Sequence, residues 1–157
     1  MKKNLQICPL FLILIFLITL SFSSCNFLFG DSQIDNTGEL GAFFSATQLV
    51  TTATLRKDIS GISVYEVKED SSLVLDLNGH TLTSTSPFHN NAVILIKGTF
   101  TLKDSGTGGT VKNEGKNRAV IEVMQTGTLY IQQSIYDSIG SKNIVINDGA
   151  KLSIFEE

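Results

Sequence analysis

The chain is poor in the residues that build most chemical sites. Its 157 residues include two cysteines and two histidines, and the only arginines are Arg56 and Arg118. Charge of one sign is never concentrated: 12 basic and 15 acidic side chains give a formal charge of −3, with no run of either kind. Nucleic acid and anionic lipid head groups select for clustered cations, so neither is an expected partner. Asp58, Asp70, Asp76 and Asp104 stand singly, with no D-x-D-x-D stretch and no Gly-Gly-x-Gly-x-Asp repeat, and they read as solvated surface charge rather than a calcium site. Gly106-Thr-Gly-Gly109 and Gly115-Lys116 do not make a phosphate loop. That motif needs glycine where Thr110 stands and a hydroxyl where Asn117 stands. No cofactor and no metal is expected.

A second absence is local. No charged residue occurs between Lys3 and Asp31, and Leu10 to Leu20 is apolar except for Thr19. With Lys2 and Lys3 in front, this is the layout of a secretory n-region and h-region. Small residues then precede a cysteine in Leu20-Ser-Phe-Ser-Ser-Cys25, and the pattern resembles the lipobox of bacterial lipoproteins, with Phe22 in place of the usual leucine three residues before the cysteine. The resemblance implies a signal peptide over 1–24, cleavage before Cys25, and lipidation of Cys25. The product would be tethered to the cell envelope, the outer membrane being the expected site and its face left open. The rival readings are an uncleaved spanning helix, for which roughly 20 apolar residues suffice, and a Cys25 that is only a buried thiol. Cleavage would also remove Cys8, leaving no partner for an internal disulfide. The remaining chain must then hold together by core burial, and it is long enough for one domain.

Residues 25–38 mix Gly, Asn, Asp, Ser and Thr without a sustained period and read as a lipidated tether, with one domain over 39–157. Glu39 to Thr52 places Leu40, Phe43, Phe44, Leu49 and Val50 near helical spacing, which predicts a short amphipathic helix. From Ala53 onward period-2 alternation is expected to run to the end of the chain. It carries an irregular repeat: LVLDLNGHTL from Leu73, VILIKGTFTL from Val93, VIEVMQTGTLYI from Val120 and IVINDGAKLSI from Ile144. Each is strand, glycine turn, strand. Leu75, Leu77, Ile94, Ile96, Ile121, Val123, Ile144 and Ile146 are expected to face inward, followed by Leu82, Phe100, Leu102, Leu129, Ile131, Leu152 and Ile154. Lys97 and Glu122 fall on the opposite parity and are expected to face solvent. Leu77, Ile96, Val123 and Ile146 are spaced by 19, 27 and 23 residues, so insertions sit in loops.

Stacked strands at such a period describe an all-β parallel solenoid. Leu75-Asp-Leu-Asn-Gly-His-Thr-Leu82 and Leu102-Lys-Asp-Ser-Gly-Thr-Gly-Gly-Thr-Val111 resemble coils of pectin-lyase-like right-handed β-helix proteins. That resemblance covers Ala53 to Glu157 and implies a short right-handed parallel β-helix of about four to five coils, with the segment at 39–52 as an N-terminal cap. It carries a fold, not an activity. The alternative is an antiparallel β-sandwich of hairpins turning at Asn78-Gly79 and Asp148-Gly149, both good type I′ pairs.

Candidate chemistry is sparse. His80 lies near Asp76 in sequence, but alternation aims Asp76 away from the Leu75–Leu77 row, and His80 reads as a turn residue rather than half of an acid–base pair. His89 sits in the loop Pro87-Phe-His-Asn-Asn91, and two histidines with a lipidated Cys25 leave no zinc ligand set. β-helix lyases, by resemblance, use clustered carboxylates beside a catalytic arginine or lysine, and no such set assembles from this sequence. The expected function is therefore non-enzymatic binding, adhesion or structure at the envelope, with a glycan, host protein or envelope protein as partner. The alternative is a carbohydrate-active β-helix domain, polysaccharide-binding or lyase-like. The last coil, Asn143 to Phe155, is expected to be covered by a second copy or another envelope protein, or to be the cut edge of a longer β-helix.

Overall fold

The computed structural model describes residues 31–46, 51–87 and 90–156; the signal region, Cys25 and His89 lie outside the described residues. Thirteen short strands carry the architecture: β1 (Ser32–Ile34), β2 (Thr51–Leu55), β3 (Ile59–Ile62), β4 (Tyr65–Val67), β5 (Ser72–Asp76), β6 (Thr81–Ser84), β7 (Ile94–Ile96), β8 (Thr99–Lys103), β9 (Thr110–Asn113), β10 (Ile121–Val123), β11 (Thr128–Gln132), β12 (Ile144–Ile146) and β13 (Lys151–Phe155). Among the described residues two helices join them, α1 (Thr37–Ser45) and α2 (Gln133–Ile139), with a 3₁₀ turn at Ser141–Asn143.

The strands form a six-stranded sheet ordered β1-β2-β5-β8-β11-β13, a four-stranded sheet ordered β12-β10-β7-β4, and a three-stranded sheet ordered β3-β6-β9. Every strand pairing among the described residues is parallel. The chain visits the six-, three- and four-stranded sheets in turn and then returns to the first. This mostly-β, parallel arrangement is compatible with a parallel solenoid. It excludes the antiparallel sandwich. Asn78, Gly79 and Gly149 do take positive φ, but the strands flanking each turn, β5 with β6 and β12 with β13, belong to different sheets.

Register places like residues on like. Leu75 pairs with Leu102, Leu102 with Ile131 and Ile131 with Ile154. Val67 pairs with Ile96, Ile96 with Val123 and Val123 with Ile146. The expected alignment of the last three repeats is the observed one. The first is not: LVLDLNGHTL spans β5 and β6, and the strand beside Ile94–Ile96 is β4, Tyr65-Glu-Val67. β4 carries only three residues with a charged one between, too little alternation to register as a strand.

Ser32–Ile34, in the segment expected to be tether, pairs with β2, and Ile34 is buried; the compact unit runs from Asp31 to Glu157. α1 is capped by Asn36, whose side chain accepts the N–H of Glu39 at 2.9 Å. The helix stops at Ser45, where Ala46 takes an extended backbone, and Thr51 and Thr52, β-branched and suited to extended backbone, open β2 rather than continue it; Leu49 and Val50 lie outside the described residues. Leu40, Phe43 and Phe44 are buried. Phe44 stacks on Tyr65 at 4.7 Å and reaches Phe100 at 5.7 Å, so α1 is fastened to the core by aromatic packing. α2 interrupts the expected alternation. It occupies the place of a further strand beside β9, with Ile135 and Ile139 buried and Ser138 hydrogen-bonded to Thr110 at 2.7 Å.

Candidate functional site

The corner after the six-stranded sheet gathers the residues with chemical potential. Asp76 ends β5 and points outward as alternation requires, yet it is 4% exposed because the 105–109 loop covers it. Its Oδ1 accepts N–H groups from Asn78 and Ser105, each at 2.9 Å, and its Oδ2 lies 3.1 Å from Lys103 Nζ. Burial alone would raise the Asp76 pKa; the Ser105 N–H, the Lys103 ammonium and the Asn78 N–H outweigh it and hold the carboxyl below its ordinary value.

Asp104, directly after β8, is also buried. Its Oδ1 accepts from Gly79 and Gly106 N–H and its Oδ2 from Gly109 N–H at 2.7 Å, while its own N–H donates to Gln132 Oε1 at 2.6 Å. Asn78 Nδ2 donates back to Leu55 O at 3.1 Å. A polar ladder thus links Leu55, Asn78, Asp76, Asp104 and Gln132 across successive turns. The glycines of this loop are required by it. A Cβ on Gly106 would collide with the backbone of Asn78 and Gly79, and one on Gly109 with the Asp104 carboxylate.

The structure does not bring His80 to Asp76. His80 Nδ1 lies 3.4 Å from Asp58 Oδ1 at the surface. Asp58 is held below its ordinary pKa chiefly by the Thr81 N–H at 2.9 Å, with His80 adding to the effect. Arg56 lies 3.9 Å from Asp35, and Arg118 pairs with Glu122. Asp70 is exposed.

Glu122 departs from its expected exposure. It is 6% exposed, bonded to Arg118 and, at 3.2 Å, to Asn147 Nδ2. Burial pushes its pKa up, but the Arg118 guanidinium and the Asn147 amide reverse that and leave it lowered. Lys97 is partly exposed and pairs with Glu66 at 3.1 Å. Sequence alternation gives the facing of Glu122; it carries no signal for Asn147 of the next repeat folding over it.

The second feature is the outer face of the largest sheet. On the six-stranded sheet the outward row Thr52, Val74, Thr101, Tyr130 and Ser153 runs in register beside Ser72, Thr99, Thr128 and Lys151. Tyr130, on β11 one strand from the β13 edge, is 41% exposed. Among the described residues, no group of three or more His, Cys, Asp or Glu side chains lies close enough to hold a metal ion, and no helix is long and apolar enough to cross a membrane. No protein-family model, curated protein or solved structure matches the chain.

Proposed function

We propose that this chain is an exported, lipid-anchored envelope protein whose body is a short right-handed parallel β-helix of four to five coils that binds or scaffolds rather than catalyses. The observation that carries the non-enzymatic reading is the saturation of Asp76 and Asp104. Their oxygens accept backbone N–H groups of the turns or pair with Lys103. A general base needs a lone pair within reach of a substrate proton, and these carboxylates spend theirs on the corner. Removing one should loosen the corner rather than abolish a reaction. Asp104→Asn places an amide donor among N–H donors and is expected to lower the unfolding midpoint. A polysaccharide-cleaving activity that vanishes in a still-folded Asp76→Asn or Asp104→Asn protein would establish the lyase-like alternative instead.

The anchor reading rests on Leu20-Ser-Phe-Ser-Ser-Cys25. Each buried methylene contributes about 0.8 kcal/mol, and two acyl chains hold where one does not. Cys25→Ser is expected to lose incorporation of a fatty-acid analogue and to release the protein from the membrane fraction. A Ser variant that stays membrane-bound at full precursor mass supports the spanning helix. The polysaccharide-binding reading draws on Tyr130, an exposed ring set among hydroxyls on the outer face of the sheet, where a sugar ring can stack. Tyr130→Ala should then abolish retention on the polysaccharide that captures the wild type.

A further inference from the structure

The inward rows end abruptly. Ile96 and Val123 are 0% exposed while their register partner Ile146 is 39% exposed; Leu102 and Ile131 are 0% exposed while Ile154 is 39% exposed. β12 and β13 are edge strands of their sheets. The opposite ends of the smaller sheets are closed by α1, which packs on β3 and β4, and the β9 edge is closed by α2. Among the described residues, the uncovered apolar end is therefore that of β12 and β13.

The hydrogen-bond phase of β13 shows what fits there. Lys151 N–H donates to Gly127 O at 3.0 Å. In a parallel ladder both backbone groups of a residue face the same neighbour and alternate along the strand. Lys151, Ser153 and Phe155 thus face β11, and Leu152 and Ile154 turn their N–H and C=O to the open edge. Their side chains point inward on either side of Ser153.

We propose that this edge pairs antiparallel with the same edge of a second copy, about a two-fold axis through Ser153. That register makes Leu152 and Ile154′ one hydrogen-bonded pair and Ile154 and Leu152′ the other, using all four edge-facing N–H groups. It places Leu152 on Ile154′ twice across the seam. The strand carries Lys151 at its start and Glu156 at its end, so antiparallel pairing brings opposite charges together at both ends, whereas parallel pairing would bring like charges together. Such a two-fold contact uses the same edge of both copies, so the assembly closes as a dimer.

Ser153 and Ser153′ form the non-hydrogen-bonded pair on the axis, with Cα atoms about 4.5 Å apart, inside the span a disulfide bridges. The test uses the purified full-length chain in mild detergent. The wild type is expected to sediment as a dimer at high micromolar concentration. Ser153→Lys sets two like charges at the axis and should yield a monomer with an unchanged circular dichroism spectrum. Ser153→Cys should crosslink to near completion under mild oxidation, and peptide mapping distinguishes this link from any through Cys8 or Cys25. Thr101→Cys, in the same outward row but inside the sheet, should not. A monomeric wild type, a dimer that Ser153→Lys leaves intact, or equal crosslinking of the Ser153→Cys and Thr101→Cys proteins would each overturn the proposal.

Discussion

Asp76 and Glu122 sit at outward positions of their strands, and both are buried by segments distant in sequence. Removing either should therefore cost more than a surface change. Glu122→Lys leaves Arg118 facing a like charge and strips Asn147 of its acceptor. We expect a loss of about 2 kcal/mol, since Arg118 is half exposed and water softens the effect. Lys97→Asp, which disturbs only the partly exposed pair with Glu66, should cost under about 1 kcal/mol. Urea unfolding midpoints at constant slope separate the two, and equal losses would remove the distinction. The same carboxylates set an acid limit. Both have folded-state pKa values lowered from the ordinary 3.8 and 4.5. The unfolded chain therefore takes up protons first, and their stabilisation is complete above the ordinary values and lost as pH falls through the folded ones. Thermal stability should drop below about pH 4, and less steeply in Asp76→Asn. Alternation told which way these side chains point; whether a loop covers them depends on chain distant in sequence.

The repeat that defines β7, β8 and β10 to β13 was legible because aliphatic residues alternate on both sides of a glycine turn. β1 and β4 were not, being three-residue strands whose burial comes from neighbouring coils. α2 is instructive for another reason. Ile135 and Ile139 sit four apart and Gly140 follows with φ 80°, a helix and its stop. At seven residues that signal is weaker than the alternation of β11 just before it. Its role follows from placement: β9 would otherwise present an open edge. Ile135→Ala should cost about 2–4 kcal/mol as a buried large-to-small change. Protection of the β9 amides from exchange should fall with it. Unchanged protection of Thr110 to Asn113 would mean that α2 does not seal the sheet. On the core row, Val123→Asp should prevent folding, since a carboxylate there must be desolvated without a partner.

In the parallel sheets of the described residues each strand's stability is borrowed from its neighbours, so stability should be graded across the sheets. The middle strands β5, β8 and β11 are paired on both sides and cover aliphatic rows with no exposure. β13 is paired on one side, and its inward Ile154 is partly bare. Native-state hydrogen exchange should accordingly be slowest for Leu73, Phe100 and Leu129 and fastest for β13. Within β13 a finer pattern is expected at low concentration. Lys151, Ser153 and Phe155, bonded to β11, should exchange more slowly than Leu152 and Ile154, whose N–H groups face the edge. Raising the protein concentration should slow Leu152 and Ile154 selectively, because these are the groups a second copy engages. Uniform exchange across 151–155 at every concentration would show that β13 opens as a unit before any edge contact matters. The exposed Ile154, with Ile146 of β12, would then mark the weakest end of the sheets rather than a seam between two copies.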